Sequence, residues 1–310
     1  MRQPGERTTG AGRRPACAQQ DLSAYEKYSR LSDRYDRIRI PFGLGRVCEA
    51  IGESARLSGR ETADLQILDA GCGTGQFIAR LAAEVRFIVG LDGSAGMLQT
   101  AQARVGNLAR AALLRGSVLA LPYADRSFDG VLNNQVLHHL PPEPTPSAER
   151  YGPQRQFLAE AFRVLAPGGA LWIGTCNQEQ LRPPTSPYWY LNVVVPEAAH
   201  ALADRYVPMD RLEELLLAVG FRDIRCSAIV DETHFTLADY LNAEGPMDPA
   251  WRSGDSVFAW YNDAQDRLAE HLRKRLVPRI ENGTIQAEIN TSEARRARVG
   301  HGVLLTAQRP

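Results

Sequence analysis

Lysine is nearly absent: Lys27 and Lys274 are the only two among 36 basic residues in a chain of 310. Acidic residues also number 36, so the formal charge is zero. Nothing electrostatic therefore favours nucleic acid or an anionic membrane surface as a partner. The bias to arginine reads as the coding habit of a GC-rich genome before it reads as phosphate recognition. Cysteine is scarce as well. Cys17, Cys48, Cys72, Cys176 and Cys226 are odd in number and contain no C-x-x-C pair. That pattern suits reduced thiols in a cytoplasmic protein better than a disulfide framework, and no metal site is evident. No run of ~18 apolar residues exists, so no bilayer span is expected. Arg13-Arg14 is followed by no apolar segment, which excludes a secretion signal built on that pair. Residues 1–20, rich in Arg, Gly, Pro and Thr, read as a disordered tail. Internal repeats are absent too.

What is present centres on Ile67 to Phe77, ILDAGCGTGQF. An apolar run (Leu65, Ile67, Leu68) leads to Asp69 and then to glycines at alternate positions, Gly71, Gly73 and Gly75. Ile78, Leu81, Ala82 and Val85 follow at the spacing of one helical face. The stretch therefore predicts a buried strand, a tight turn and a helix start. Glycines allow positive φ and close approach of a ligand, and the helix offers unpaired N–H groups over the turn. Dinucleotide sites want G-x-G-x-x-G; here the third glycine falls one position early, which argues against a dehydrogenase. A second buried strand, Phe87 to Leu91, ends at Asp92. A carboxylate there suits the paired hydroxyls of a ribose, or caps the helix that carries Met97.

DAGCGTG resembles the first motif of the class I S-adenosylmethionine-dependent methyltransferases. LPYADRSFDGVLNNQVLHHL (Leu121 to Leu140) resembles the signature of their ubiquinone/menaquinone-type, methyltransferase type 11 members, which act on small molecules. EAFRVLAPGGALWIGT is similar to the helix–PGG–strand passage of the same group. The resemblance covers about Leu65 to Val230. It implies an α/β fold: a doubly wound, seven-stranded Rossmann-like sheet with helical cap elements, and S-adenosyl-L-methionine as cofactor. It further implies that Asp69, Gly71, Cys72, Gly73, Gly75 and Gln76 surround the methionine end of that molecule. Asp92 and Gly93 would hold the ribose, Met97, Ser117 and Val118 would flank the adenine, and Asn134 and Gln135 would line the sulfonium side. The group usually carries an acidic residue where this chain has Ser117, so the adenine contact falls to Ser117 or to the backbone of Val118. Neither the NPPY tetrad of DNA and glutamine methyltransferases nor the basic stripe of an RNA enzyme occurs.

The remaining residues divide the chain into expected segments. After the tail, 21–310 forms the methyltransferase domain: an N-terminal cap (21–64), a cofactor-binding core (65–176), a substrate segment (177–207), a return to the core (208–230), a helical insertion (231–299) and a last strand (300–310). Tyr25 and Tyr35 are expected either to close over the substrate or simply to pack a helix on the sheet. His138 and His139 suit a general base, although LHHL also serves structural roles. Glu179 would take a proton in methylation of carbon. Tyr188, Trp189 and Tyr190 would wall the acceptor pocket, or else pack as a surface strap. The proline-rich Pro141 to Pro153 reads as pocket rim or as solvated linker. In the insertion, Tyr261, Ala264, Leu268 and Leu272 predict one long helix stopping near Pro278. Cys226 is expected on a strand facing the core.

The function so implied is methyl transfer to a small acceptor, lipophilic or aromatic, of secondary-metabolite or quinone/isoprenoid-like character. Two alternatives stand beside it: an arsenite-type, thiol-dependent methyltransferase, and a cofactor-binding protein without transferase activity. The expected partner is the small-molecule acceptor, with no nucleic acid; a homo-oligomer is compatible with the sequence.

Overall fold

The computed structural model describes residues 40–140, 150–230 and 235–310. Helix α1 (Leu44–Leu57) precedes an alternation of β1 (Gln66–Ala70), α2 (Gln76–Leu81), β2 (Phe87–Asp92), α3 (Ala95–Val105), β3 (Ala111–Arg115) and β4 (Phe128–Asn134). Next come α4 (Gly152–Val164) and β5 (Leu165–Thr175), then the short helices α5 (Gln178–Leu181), α6 (Trp189–Val193) and α7 (Pro196–Ala203). After α8 (Met209–Val219) and β6 (Arg222–Ile229) lie α9 (Leu237–Leu241), α10 (Pro249–Arg252), α11 (Gln265–His271), α12 (Val277–Glu281) and α13 (Ile285–Val299), before β7 (Gly302–Gln308).

The seven strands form one sheet in the order β3-β2-β1-β4-β5-β7-β6. Strands β1 to β5 pair in parallel, whereas β7 runs antiparallel to both β5 and β6. Strand order reverses beside β1, which puts the ends of β1 and β4 at the topological switch point where open α/β sheets take ligands. Central strands are covered on both faces and bury apolar side chains on each, as with Ile67 and Leu68 of β1. On one face α1 buries Val47, Ala50, Ile51 and Ala55 beside Ile78 and Leu81 of α2. On the other, Phe157, Leu158 and Ala161 of α4 meet Leu212, Leu215 and Leu216 of α8. Asp129 of the SFD motif clamps the start of the sheet: it accepts from the backbone N of Gln66 (2.8 Å) and pairs with the Arg60 guanidinium.

A third core stands apart from the sheet. Tyr188, Trp189 and Tyr190 pack with Phe235, Tyr240, Trp251 and Phe258, so the segment after β5 and the late insertion form one cap. The single long helix expected there is not observed. A 3-10 turn (Ser256–Tyr261), α11, a π turn (Leu272–Leu276) and α12 replace it. Pro278 lacks an N–H and its ring would clash with a carbonyl one turn back, so the widened π turn admits it at the start of α12 instead of stopping the helix. Cys226 also departs from expectation. Its strand is the sheet edge, and Cys226 is exposed.

Candidate active site

The loop between β1 and α2 is tied to the end of β2 by its own backbone. The N–H groups of Gly71 and Cys72 both donate to the carbonyl of Leu91, at 2.7 and 3.1 Å. The three glycines then do different work. Gly71 has φ +89°, and a Cβ on it would lie 2.4 Å from Cγ2 of Val136. Gly73 has φ +53° with open space where a Cβ would stand, and its N–H donates to Oδ2 of Asp92 at 2.9 Å. Gly75 faces α3, where a Cβ would come within 3.2 Å of Ala101. It permits helix packing and does not line the cavity below.

Asp92 ends β2 with each oxygen accepting one backbone N–H, Oδ2 from Gly73 and Oδ1 from Ser94 at 2.8 Å. The N-cap of α3 is Ser94, whose Oγ accepts from Met97 N, so Asp92 is not the cap. Burial raises the pKa of Asp92 against the pull of those N–H groups. Asp69 is buried more completely, and its Oδ2 has no hydrogen-bond partner among the described residues. Burial first, and the charge of Asp92 second, push its pKa up to about 8. Two carboxyls thus flank the glycine loop, one of them with an unused buried oxygen.

Both carboxyls border a cavity of about 470 Å³ at the carboxyl ends of the strands, a volume in the range of small-molecule sites. From the glycine loop it takes Asp69, Gly71, Cys72, Gly73 and Gln76. From the next βα connections it takes Asp92, Gly93, Met97 and Val118. Asn134, Gln135, His138 and His139 follow from the end of β4, and Tyr188 from the cap. Five predicted residues lie elsewhere. Gly75 packs against α3, and the Ser117 hydroxyl accepts from Leu119 N within its own turn. Glu179 is exposed on α5. Trp189 and Tyr190 are wholly buried behind the wall, Trp189 donating to the carbonyl of Tyr240 and Tyr190 to Asp255. The expectation that they face an acceptor is corrected accordingly: their rings make the cap core. Tyr25, Tyr35 and most of the proline-rich loop (141–149) lie outside the described residues.

Between the end of β4 and the cap the polar groups are interlocked. His138 stacks on Tyr206 with centroids 4.3 Å apart and planes 12° from parallel. The Tyr206 hydroxyl donates to Oε1 of Gln135 (3.3 Å), whose Nε2 approaches Sγ of Cys176 at 3.8 Å. Gln135 has φ +56°, and its N–H donates to the carbonyl of Gly174 at 2.8 Å, which aims the side chain at that cluster. Burial pushes the Cys176 thiol up to about 11 and raises that of Cys72 well above its ordinary value. Sequence reasoning did not foresee Tyr206, Arg252, Asp255 and Phe258 as lining residues. Arg252, Asp255 and Phe258 come from the insertion, where no motif marks them; the crowding of aromatics in 235–261 is the one feature of the sequence that could have pointed there.

A family model described as "Methyltransferase domain" matches residues 68–173. The chain is 34% identical over 156 residues to a demethylmenaquinone methyltransferase of Lactiplantibacillus plantarum, across 48% of this chain and 61% of that protein. It is 32% identical over 193 residues to a 2-phytyl-1,4-naphtoquinone methyltransferase of Thermosynechococcus vestitus, across 58% of this chain and 77% of that protein. The match thus spans less than two thirds of the first of these relatives. In fold the chain is similar to a structure described as a methyltransferase from an antibiotic biosynthesis pathway of Anabaena variabilis. The TM-score is 0.65 at 21% identity, covering 87% of this chain and 98% of that one.

Proposed function

Since the chain belongs to the class I S-adenosylmethionine-dependent methyltransferases, we propose that it methylates a small lipophilic or aromatic acceptor held in the cavity. The observation that carries this reading is the pair of carboxyls around the glycine loop. The Asp92 carboxylate accepts backbone N–H groups, among them Gly73 and Ser94, and still has lone-pair capacity for a ribose hydroxyl. The unpartnered Oδ2 of Asp69 fits the ammonium of a methionine moiety, a cation that would satisfy a buried acceptor. Open space at Gly73 leaves its backbone approachable. S-adenosylmethionine, when bound, supplies an electrophilic sulfonium methyl group.

The chain's own contribution is placement and exclusion of water. Tyr188, Phe258, Leu191 and Leu202 give the acceptor half apolar walls contiguous with the loop. Holding two reactants in line supplies much of the acceleration of such a transfer. His139, half-buried on the cavity wall, is the group best placed to accept a proton from the acceptor, while His138 is buried beneath Tyr206. The names of the two quinone relatives support a quinone-like ring as the acceptor. The four cysteines among the described residues form no disulfide with one another, which agrees with the cytoplasm as the place of action.

The thiol-dependent alternative is not favoured. Arsenic capture needs converging thiolates, whereas Cys72 and Cys176 are held protonated by burial and Cys226 sits on the outer edge strand. Calorimetric titration with S-adenosylmethionine and S-adenosylhomocysteine tests binding, and Asp92→Ala should weaken it severely. A cofactor carrying a labelled methyl, incubated with the protein and a cell extract, then tests transfer. Label confined to macromolecules overturns the small-acceptor reading, and no transfer at all leaves a binding protein.

A further inference from the structure

The half-buried arginines of this fold are mostly matched by carboxylates. Arg60 pairs with Asp129, Arg163 with Asp125 and Glu160, Arg275 with Glu197, and Arg296 with Glu293. Arg252, at the end of α10, is different. It is the one Arg or Lys among the described residues lining the cavity. Its Nη1 donates to the carbonyls of Pro246 and Met247, at 2.8 and 3.0 Å, which fixes the guanidinium plane. Nε and Nη2 bond nothing among the described residues, and no carboxylate there pairs with it. Asp255, three residues on and also at the cavity, is engaged otherwise: Oδ2 accepts from the Tyr190 hydroxyl (2.5 Å) and Oδ1 from Val257 N (2.9 Å). Among the described residues Asp248 alone acts on Arg252 electrostatically, and burial outweighs it. Arg309 also lacks a carboxylate, but its Nη1 serves the carbonyls of Phe162 and Arg163, and it does not border the cavity.

A partly desolvated guanidinium that bonds no carboxylate is costly, and the cost is offset when a ligand brings an anion to its unused N–H groups. The free edge of a guanidinium matches the two oxygens of a carboxylate or phosphate. The same cavity offers apolar surface through Leu181, Leu191, Leu202, Phe258 and Leu268, beside the polar Ser253, Asp255, Ser256, Asn262 and Gln265. We propose that the acceptor is an amphiphilic anion, an aromatic or aliphatic body ending in a carboxylate or phosphate, and that Arg252 binds the oxyanion. This rests on the acceptor-site reading above and narrows it, since the anionic end sets the direction in which the apolar body enters.

The test is calorimetric titration of the full chain, saturated with S-adenosylhomocysteine, with naphthoate, naphthyl phosphate and naphthol at neutral pH. At least one anion should bind about tenfold tighter than the alcohol, or about 1.4 kcal/mol; whichever anion wins identifies the oxyanion. Arg252→Gln should remove the preference and Arg252→Lys keep part of it. Because Arg252→Gln also loses bonds to Pro246 and Met247, its fold is checked by unchanged affinity for S-adenosylhomocysteine. The wild-type comparison needs no variant. Equal binding of anions and alcohol, binding of none of the three, or a preference that survives in Arg252→Gln overturns the proposal. If S-adenosylhomocysteine itself fails to bind, the transferase reading falls, and the anion preference is still measured on the ligand-free chain.

Discussion

Gly71→Ala is the sharpest probe of the loop. At φ +89° the new residue would sit in a left-handed backbone, with its Cβ 2.4 Å from Cγ2 and 3.0 Å from Cγ1 of Val136. The backbone part costs about 1–2 kcal/mol, and forcing a methyl into packed atoms costs about 1–3 more. A total of about 2–5 kcal/mol is a large share of the 5–15 or so that holds a domain together. Gly73→Ala is the control. With φ +53° and open space around its Cβ, it should lose only the backbone part, about 1–2 kcal/mol, yet weaken S-adenosylhomocysteine because the methyl stands at the cavity. Urea unfolding of Gly71→Ala, Val136→Ala and the double variant completes a cycle. Val136→Ala removes both Cγ atoms from the contact, so the double variant should regain about 1–3 kcal/mol relative to the sum of the singles. Should Gly71→Ala cost no more than Gly73→Ala, or the cycle show no coupling, the loop is not fitted against Val136 as argued.

Asp69, with its pKa up at about 8, keeps in the folded chain a proton that the unfolded chain releases near pH ~4. Folding stability should therefore fall as pH rises from about 4 to about 8, and Asp69→Asn should flatten that slope in urea midpoints. A cation docking on Asp69 would expel the same proton, so binding enthalpies at neutral pH should depend on the buffer in the wild type and not in Asp69→Asn. Asp129→Ala strands the Gln66 N–H and the Arg60 guanidinium, and chemical denaturation should register a loss of about 1.5–3 kcal/mol. His139→Ala should cut methyl transfer by about 10²–10⁴ while sparing cofactor affinity; full activity would remove it as the base. His138→Ala should instead lower the unfolding midpoint, because the stack on Tyr206, worth about 0.5–1.5 kcal/mol, is lost.

The glycine-loop side of the cavity was legible because its geometry is local. A positive-φ turn, a strand-end carboxyl and a helix start are all set by residues a few positions apart, so Gly71, Gly73 and Asp92 could be picked from spacing, and Asp69 from the family resemblance. Gly75 of the same loop and Ser117 after β3 serve packing and a turn, a division spacing cannot express. The cap side was not legible. Trp189 and Tyr190 looked like pocket walls because aromatics in a row have no period to say which side is dry. Arg252 and Asp255 were invisible since their role depends on a cap that folds across distant segments. Pro278 was read as a stop because a π turn leaves no mark in a 3.6-residue pattern.

Strand β6 touches the sheet only through β7, and about 70 residues of insertion separate the two in sequence. On a ribosome adding about 5–20 residues per second, β6 would wait several seconds for its neighbour, and the flank of β5, which ends at Thr175, would stay bare for longer still. The final strand is thus a bolt: its arrival seals the sheet margin and draws tight both ends of the segment that supplies Arg252. A nascent chain arrested short of Gly302 should present an adhesive β5 flank and a half-made pocket at once, the kind of species that chaperones hold.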